Sequence, residues 1–505
     1  MSPQLLAMAL PPVLGLFILG IGNGFLSSLI TLRLDAAGES PVVVGWVSAA
    51  YYIGLGLGAL FNDRLLLAIG HIRAYGSFAS LVAVTVLLQG LMLDPVAWFG
   101  LRLIGGWATV GVFLVIESWL LASGDSQVRG RLLALYMIAL YGSGVLGQLL
   151  LGVTQNLGDT APFMVVGALA SLSVLPMAMI PRVTPLLDKI EPLSPFRLMV
   201  LTPTGVVGAF GSGMLAAAVY SLLPLYLQRN GFGVADVGQL MAATVLGAML
   251  LQYPVGRWSD RHDRQTVLIL IGIFCLAISL TVLLVPLPSW GLAALLFLLG
   301  GGVFSLYPVS VGHSADRAPA GALVPMSQGL LLISALGSSV SPPLISPVMA
   351  ALGDTALFMS FGALGAALVL FFAWRRLVRP APVPVVPFSA ATPLSSVGAE
   401  LVVTDEWVQG AKEHEHMEDL SDVVPDVDVA EPIVGPPVEE GQYVAYFDDA
   451  GFHDGVLHHH EATEAVDEHE SEAVKDTAGP EATSSDPSTG HPTASGSACG
   501  KASGT

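Results

Sequence analysis

Long apolar stretches follow one another along the first three quarters of the chain, with short polar connections between them. A helix that crosses a bilayer needs about 20 mostly apolar residues. Twelve stretches meet this length, so the pattern predicts an all-α membrane protein with twelve transmembrane helices. We expect Pro342, Pro343 and Pro347 to interrupt the eleventh. The predicted spans are 5–32, 42–62, 74–93, 96–122, 131–155, 161–181, 203–228, 235–256, 266–287, 290–312, 321–351 and 355–377.

The two halves of this pattern resemble each other. Matches in separate segments, in order, favour two pseudo-symmetric six-helix halves over chance agreement between glycine-rich sequences. The predicted organisation is an N-terminal half (1–181), a linker (182–202), a C-terminal half (203–379) and a tail (380–505). A shift of 193 places Gly20 on Gly213, Gly38 on Gly231 and Gly45 on Gly238, and a shift of 195 places 101–106 on 296–301.

Composition separates the tail from the apolar body. The whole chain is 53% hydrophobic and only 12% charged, whereas soluble proteins carry about 25% charged residues. Residues 380–505 contain 25 acidic residues, three lysines and no arginine. Such a segment cannot bury enough apolar area to fold alone, so we expect a disordered acidic tail. Its charge would repel phosphate, so nucleic acid is not an expected partner.

The basic residues predict the orientation of the spans. If the N-terminus lies inside, 14 of the 17 lysines and arginines in residues 1–379 fall at inner connections or just after the last span. Cytoplasmic connections are enriched in lysine and arginine. Both termini are therefore predicted to be cytoplasmic.

A charged loop is predicted between the eighth and ninth spans, in residues 252–265. Its part from Gly256 to Arg264 resembles the G-x-x-x-D-R-x-x-R signature of the major facilitator superfamily. Arg102 with Gly106 resembles the R-x-x-x-G motif of the same family. Residues 117–120, 129–136 and 147–150 resemble its YcaD-like bacterial branch.

The resemblance covers residues 1–379 and implies the twelve-helix fold of that superfamily. It implies a secondary active transporter of the bacterial inner membrane that moves a small organic solute by alternating access, with no cofactor and no enzymatic activity. The first half departs from the loop signature, because the repeat places Leu67 where Asp260 stands. Gating by the first-half connection is therefore less expected than gating by the second.

Arg102 is the most informative single residue, because a charge inside a membrane span is costly unless it is paired or solvated. One interpretation makes it an anion or proton-coupling site in a central cavity. The other makes it a structural residue satisfied by neighbouring carbonyl groups or reaching toward the interface. The cost of the charge favours a functional role.

Glu117, near the inner end of the fourth span, also has two interpretations. It could couple solute to protons, or it could close a cytoplasmic gate by pairing with Arg129 or Arg131. The second is favoured because its predicted depth is interfacial. The residues assigned to the cytoplasmic gate are Asp63, Arg64, Arg73, Arg129, Arg131, Gly256, Asp260, Arg261 and Arg264.

Polar residues within the spans are the candidates for a solute site. Any one of them is more often an interhelical hydrogen bond than a ligand contact. As a set they predict a weakly polar pocket. Beside Arg102 and Glu117, the candidates are Asn23, Ser27, Tyr51, Tyr141, Gln148, Tyr220, Gln252, Tyr307 and Gln328.

An alternative hypothesis places the function in the tail. The helical body would then be a membrane-embedded sensor or scaffold, and the acidic tail would recruit a protein partner. The tail also contains histidines, among them 458–460. Histidines in a solvated acidic segment, without ordered metal-ligand spacing, do not predict a metal site.

Overall fold

The computed structural model describes residues 3–122, 126–179, 193–318, 322–378, 391, 444–448 and 451–455. Within these ranges, 12 helical spans are long and apolar enough to cross a membrane. The prediction of twelve spans is therefore confirmed, and their bounds agree with the predicted ones to within several residues.

The N-terminal half contains six spans. The sixth is broken at Ser173, where α6 gives way to the short α7. The helices are α1 (Pro3–Ala36), α2 (Pro41–Ile69), α3 (His71–Leu91), α4 (Pro95–Ala122), α5 (Ser126–Thr154), α6 (Ala161–Leu172) and α7 (Val174–Ala178), with a 3₁₀ turn at Gln155–Leu157.

The C-terminal half also contains six spans, preceded by a short helix inside the predicted linker. Its first span is broken at Leu222, two residues before Pro224. The helices are α8 (Pro195–Leu201), α9 (Pro203–Ser221), α10 (Leu223–Arg229), α11 (Val234–Arg261), α12 (Arg264–Leu284), α13 (Ser289–Ala315), α14 (Leu323–Leu352) and α15 (Ala356–Val378).

The spans alternate in direction, so their connections lie at two opposite ends of the bundle. We call the end where α1 finishes the Asp35 face. The other end, where α11 finishes, is the Asp260 face. Helix α8, in the described part of the linker, and the end of α15 both lie at the Asp260 face.

The three prolines near the end of α14 do not interrupt it. The predicted break is wrong, because α14 continues as one helix from Leu323 to Leu352. Neighbouring helices can satisfy the backbone groups that proline releases in a membrane span. Around these prolines α14 is held against α9, because Ser338 Oγ and Ser341 Oγ donate to the Gly213 and Met214 carbonyl groups of α9 at 3.1 and 2.7 Å.

The charged segment before the ninth span is mostly helical, in contrast to the predicted loop. Helix α11 continues to Arg261, and only His262 and Asp263 separate it from α12. Asp263 caps α12, because its Oδ1 accepts a hydrogen bond from the Gln265 amide at 3.0 Å. A side-chain cap of this kind starts a new helix at once.

The repeat in the sequence is visible in the packing. In the N-terminal half, a Cβ atom at Gly106 on α4 would collide with the carbonyl oxygen of Tyr51 on α2. In the C-terminal half, a Cβ atom at Gly300 on α13 would collide with the carbonyl oxygen of Thr244 on α11. Thr244 lies 193 residues after Tyr51, which is the shift found in the sequence.

Residues 425–505 form a separate unit. Its described part is an antiparallel hairpin of β1 (Val444–Asp448) and β2 (Gly451–Gly455), with Val444 opposite Gly455. Apart from this hairpin and Ala391, the tail lies outside the described residues. The expected disorder of the tail therefore stays a prediction there.

Candidate functional site

A cavity of about 80 Å³ lies between helices of both halves. About 10–15 Å³ of such volume holds one water molecule, so the cavity has room for a small solute. Its wall is mixed, with apolar side chains, three glycines and several hydroxyl groups. The lining residues are Leu19, Gly20, Asn23, Gly24, Ser27, Tyr51, Tyr52, Phe113, Leu140, Tyr141, Gly144, Tyr220 and Val245.

The structure brings together five of the polar candidates, from helices α1, α2, α5 and α9. Asn23 Nδ2 donates to the Tyr51 hydroxyl at 3.1 Å. Tyr52 was missed, although it directly follows Tyr51 and their rings make an edge contact at 5.5 Å. Its position next to Tyr51 in the sequence is the signal that could have identified Tyr52 as a lining residue. The candidates that line the cavity are Asn23, Ser27, Tyr51, Tyr141 and Tyr220.

Arg102 lies directly behind this polar wall. It is only 3% exposed, and its Nη2 donates to Ser27 Oγ at 3.1 Å. Its guanidinium carbon lies 4.2 Å from the centre of the Tyr51 ring, a favourable cation–π contact. Both partners are lining residues, so Arg102 is separated from the cavity by one layer of side chains.

Two glutamines proposed for the solute site make interhelical hydrogen bonds and do not line this cavity. Gln148 Nε2 donates to the Gly24 carbonyl at 2.6 Å, and its Oε1 accepts from Ser28 Oγ at 3.1 Å. Gln252 Nε2 donates to the carbonyl groups of Phe304 and Ala391, at 3.0 and 2.6 Å. Each glutamine therefore joins separate parts of the chain.

The contact with Ala391 places a tail residue against the bundle. Ala391 is 2% exposed and belongs to an apolar cluster with Tyr307 and Met326. Tyr307, a further candidate for the solute site, is therefore buried in this cluster and not at the cavity wall. Gln328 lies half-buried on α14, near the Asp260 face.

Glu117 is 4% exposed on α4. Its Oε1 accepts a hydrogen bond from the Tyr136 hydroxyl of α5 at 2.9 Å. Of its two expected arginine partners, Arg131 is exposed, and the side chain of Arg129 lies outside the described residues. The structure thus gives Glu117 a phenolic partner that was not predicted, and its role in a gate stays a prediction.

The second-half connection at the Asp260 face is held by a buried arginine. Arg264 is 1% exposed, and it pairs with Asp260 at 3.2 Å and with the fully buried Asp316 at 3.3 Å. A Cβ atom at Gly312 would collide with the guanidinium, so this glycine makes room for it on α13. Asp316 was missed, because it lies 52 residues away in sequence. Arg261 is exposed.

The remaining residues assigned to the gate are arranged differently. Asp63, Arg64 and Arg73, at the first-half connection, are all exposed. No ion pair among the described residues includes any of the three. Gly256 is buried on α11. The first-half connection departs from the signature, and its described residues form no counterpart of the buried ion pairs that Arg264 makes in the second half.

An ion-pair cluster at the Asp35 face was not predicted. Arg229, at the end of α10, pairs with Asp35 of the other half at 2.7 Å and with Asp354 at 3.4 Å. Thr31 Oγ1 also donates to the Ser221 carbonyl across the halves, at 2.8 Å. The two halves are therefore held together by polar contacts at this face.

Several bacterial proteins are similar to this chain. An uncharacterized MFS-type transporter of Yersinia pestis (strain Pestoides F) is 34% identical over 348 residues, which cover 68% of this chain and 90% of that protein. The uncharacterized MFS-type transporter YcaD of Salmonella arizonae is 32% identical over 372 residues, covering 73% and 96%. The YcaD-like resemblance is therefore confirmed.

Solved structures show the same fold. The nucleoside transporter NupG has a TM-score of 0.60 at 15% identity, covering 74% of this chain and 99% of NupG. A D-xylose-proton symporter has a TM-score of 0.57 at 14% identity, covering 72% and 96%. At this identity the similarity concerns the fold and not the solute.

The sequence model of the Major Facilitator Superfamily matches residues 13–324 and 205–411. These matches cover most of the chain, including all but the beginning of the helical bundle. Together with the twelve spans, the duplicated halves and the relatives, they identify this multi-pass membrane protein as a member of the major facilitator superfamily of transporters.

Proposed function

We propose that this protein is a secondary active transporter of the bacterial inner membrane, and that it moves a small organic solute by alternating access. The observation that carries the proposal is the central cavity, whose lining comes from both duplicated halves. A site at the interface between repeats can be exposed to either side when the halves rock against each other.

The contacts at the Asp35 face support this mechanism. The Arg229–Asp35 pair and the Thr31–Ser221 hydrogen bond join the halves there, and both would have to break for that face to open. With both termini cytoplasmic, as the basic residues predict, the Asp35 face is periplasmic. The Arg264 network would then lie at the cytoplasmic side.

Transport is tested with the full chain in proteoliposomes. Radiolabelled solutes, grouped by charge, are screened for exchange across the membrane, because counterflow needs no assumption about the coupling ion. We expect exchange of at least one small organic solute and none in protein-free vesicles. Repeating the assay with an imposed pH gradient then measures proton coupling.

The proposal would be contradicted if no small solute of any charge exchanged in vesicles that contain folded, correctly inserted protein. The scaffold hypothesis would gain if truncation after Val378 abolished a protein interaction in cells while the vesicles remained inactive. If exchange persists in the truncated chain, the tail is not the module that performs transport.

A further inference from the structure

Arg102 is a buried cation without a carboxylate partner among the described residues. The described ion pairs involve other arginines, and its Nε has no hydrogen-bond partner. Its contacts, Ser27 Oγ and the Tyr51 ring, are both neutral. A guanidinium keeps its charge in proteins, and buried charges are normally paired. The protein therefore maintains a positive charge that nothing described compensates.

The carboxylates of the surrounding helices are distant or already engaged. On α4, Glu117 lies 15 residues beyond Arg102, roughly 22 Å along the axis at about 1.5 Å per residue. At the start of the same helix, Asp94 accepts a hydrogen bond from the Val96 amide at 3.0 Å. On α1, Asp35 pairs with Arg229. On α2, Asp63 is 12 residues beyond Tyr51, roughly 18 Å along the axis.

The cavity wall in front of Arg102 offers hydrogen-bond donors and no acidic group. Because the Tyr51 hydroxyl oxygen accepts from Asn23, its own proton remains available to a solute. Ser27, Tyr52 and Tyr220 add further hydroxyl groups at the wall. Leu19, Phe113, Leu140 and Val245 provide apolar surface for the rest of the solute.

We infer that the solute is a small monoanion, specifically a monocarboxylate, and that Arg102 supplies the charge that compensates it. The inference rests on the proposed transport function and names the solute's chemical class. The lining contains no cation of its own, and Arg102 provides one positive charge. A dianion would therefore retain an uncompensated charge. A cationic solute would meet a like charge in a medium of low dielectric constant, where repulsion is strong.

The first test needs no ligand. Arg102→Gln keeps a hydrogen-bonding group for Ser27 but removes the uncompensated charge. We expect the ligand-free melting temperature of the purified full chain to stay unchanged or rise. The control Arg257→Gln removes an exposed charge from α11 and should leave it unchanged. A clearly lower melting temperature for Arg102→Gln would make Arg102 a structural residue and overturn the inference.

The second test compares acids with their neutral amides. Propionate, butyrate and benzoate are titrated at about pH 7 against propionamide, butyramide and benzamide, and binding is read from the rise in melting temperature. We expect at least one acid, and no amide, to stabilise the protein. Arg102→Gln should weaken the binding of that acid by about tenfold or more, as expected for removing a charge that acts across one layer of side chains in a partly buried site. Arg102→Lys should weaken it less.

Three outcomes of this titration would overturn the inference. They are failure of all three acids to bind, equal binding of an acid and its amide, and equal affinity of the acid for the wild type and Arg102→Gln. The proposed function is judged separately. If vesicles exchange only neutral or cationic solutes, transport stands and the monoanion inference is wrong.

Discussion

Among the side chains that the structure describes, two arginines are almost completely buried, and their surroundings are opposite. Arg264, 1% exposed at the Asp260 face, lies between two carboxylates, one of them fully buried. Arg102, 3% exposed beside the central cavity, contacts a serine and a tyrosine ring. Both would be expensive in hydrocarbon if left alone, but only Arg264 has its compensation among the described residues.

The difference separates a structural lock from a candidate binding site. A buried pair holds two helix ends in one arrangement, and removing one partner leaves the other charge uncompensated. A buried charge without a partner costs stability, so its presence inside a membrane span indicates a functional site. Three substitutions and one truncation test this contrast and the contacts around it.

Arg264→Gln should produce the largest loss of stability. It leaves the fully buried Asp316 with a charge that Gln cannot neutralise, which costs about 3–5 kcal/mol in comparable buried pairs. Thermal unfolding of the purified protein measures the loss. Arg261→Gln, at an exposed neighbouring position, is the matched control and should change little. Equal stability of the two variants would show that the network is not a lock.

Gly106→Ala should disturb the support of Arg102. The new methyl group would meet the Tyr51 carbonyl, and forcing extra atoms into a close contact costs about 1–3 kcal/mol. Because Tyr51 stacks on Arg102, the binding of the solute should also weaken. Gly100→Ala, on the same helix with open space around it, is the control. If both alanines behave alike, α2 and α4 are not in close contact here.

Truncation after Val378 should have a smaller effect. It removes the Ala391 carbonyl, which accepts a hydrogen bond from Gln252 at 2.6 Å, and a hydrogen bond of this kind contributes about 0.5–1.5 kcal/mol. Thermal unfolding of the truncated chain measures the change. In a chain that already carries Gln252→Ala, truncation should lower the stability less than it does in the wild type, because the hydrogen bond to Ala391 is already absent. Equal costs in both backgrounds would mean that the Gln252–Ala391 contact contributes nothing.

Arg229→Gln should change stability least, by about 0–1 kcal/mol, because its ion pairs are partly exposed and such pairs contribute little. Its effect should be on access to the cavity. The probe is Asn23→Cys in a chain whose two native cysteines are replaced by serine. This cysteine should react faster with a maleimide applied from the Asp35 face when the chain also carries Arg229→Gln than when Arg229 is kept. Arg33→Gln is the control, since the Asp159 that pairs with Arg33 belongs to the same half. Unchanged labelling would exclude Arg229 from the closure of that face.

The sequence predicts the membrane spans better than it predicts the positions of individual side chains. The spans and the charged motif were predictable, because a bilayer sets the length of apolar segments and excludes unpaired charge. The polar candidates are only partly brought together, and their role in binding a solute stays a prediction. Asn23 and Tyr51 line the cavity, whereas Gln148 and Tyr307, which are also polar and also within the spans, do not.

The number of spans, the duplication and the presence of a costly arginine in α4 follow from the sequence alone, because they depend on local composition and on matches between segments. The partner of each buried charge, in contrast, depends on how the helices pack in three dimensions. Asp316 reaches Arg264 and Asp35 reaches Arg229 because of how the helices rotate and pack, and neither spacing nor composition encodes that rotation. Whether a buried charge is a lock or a site therefore becomes visible only in the folded bundle.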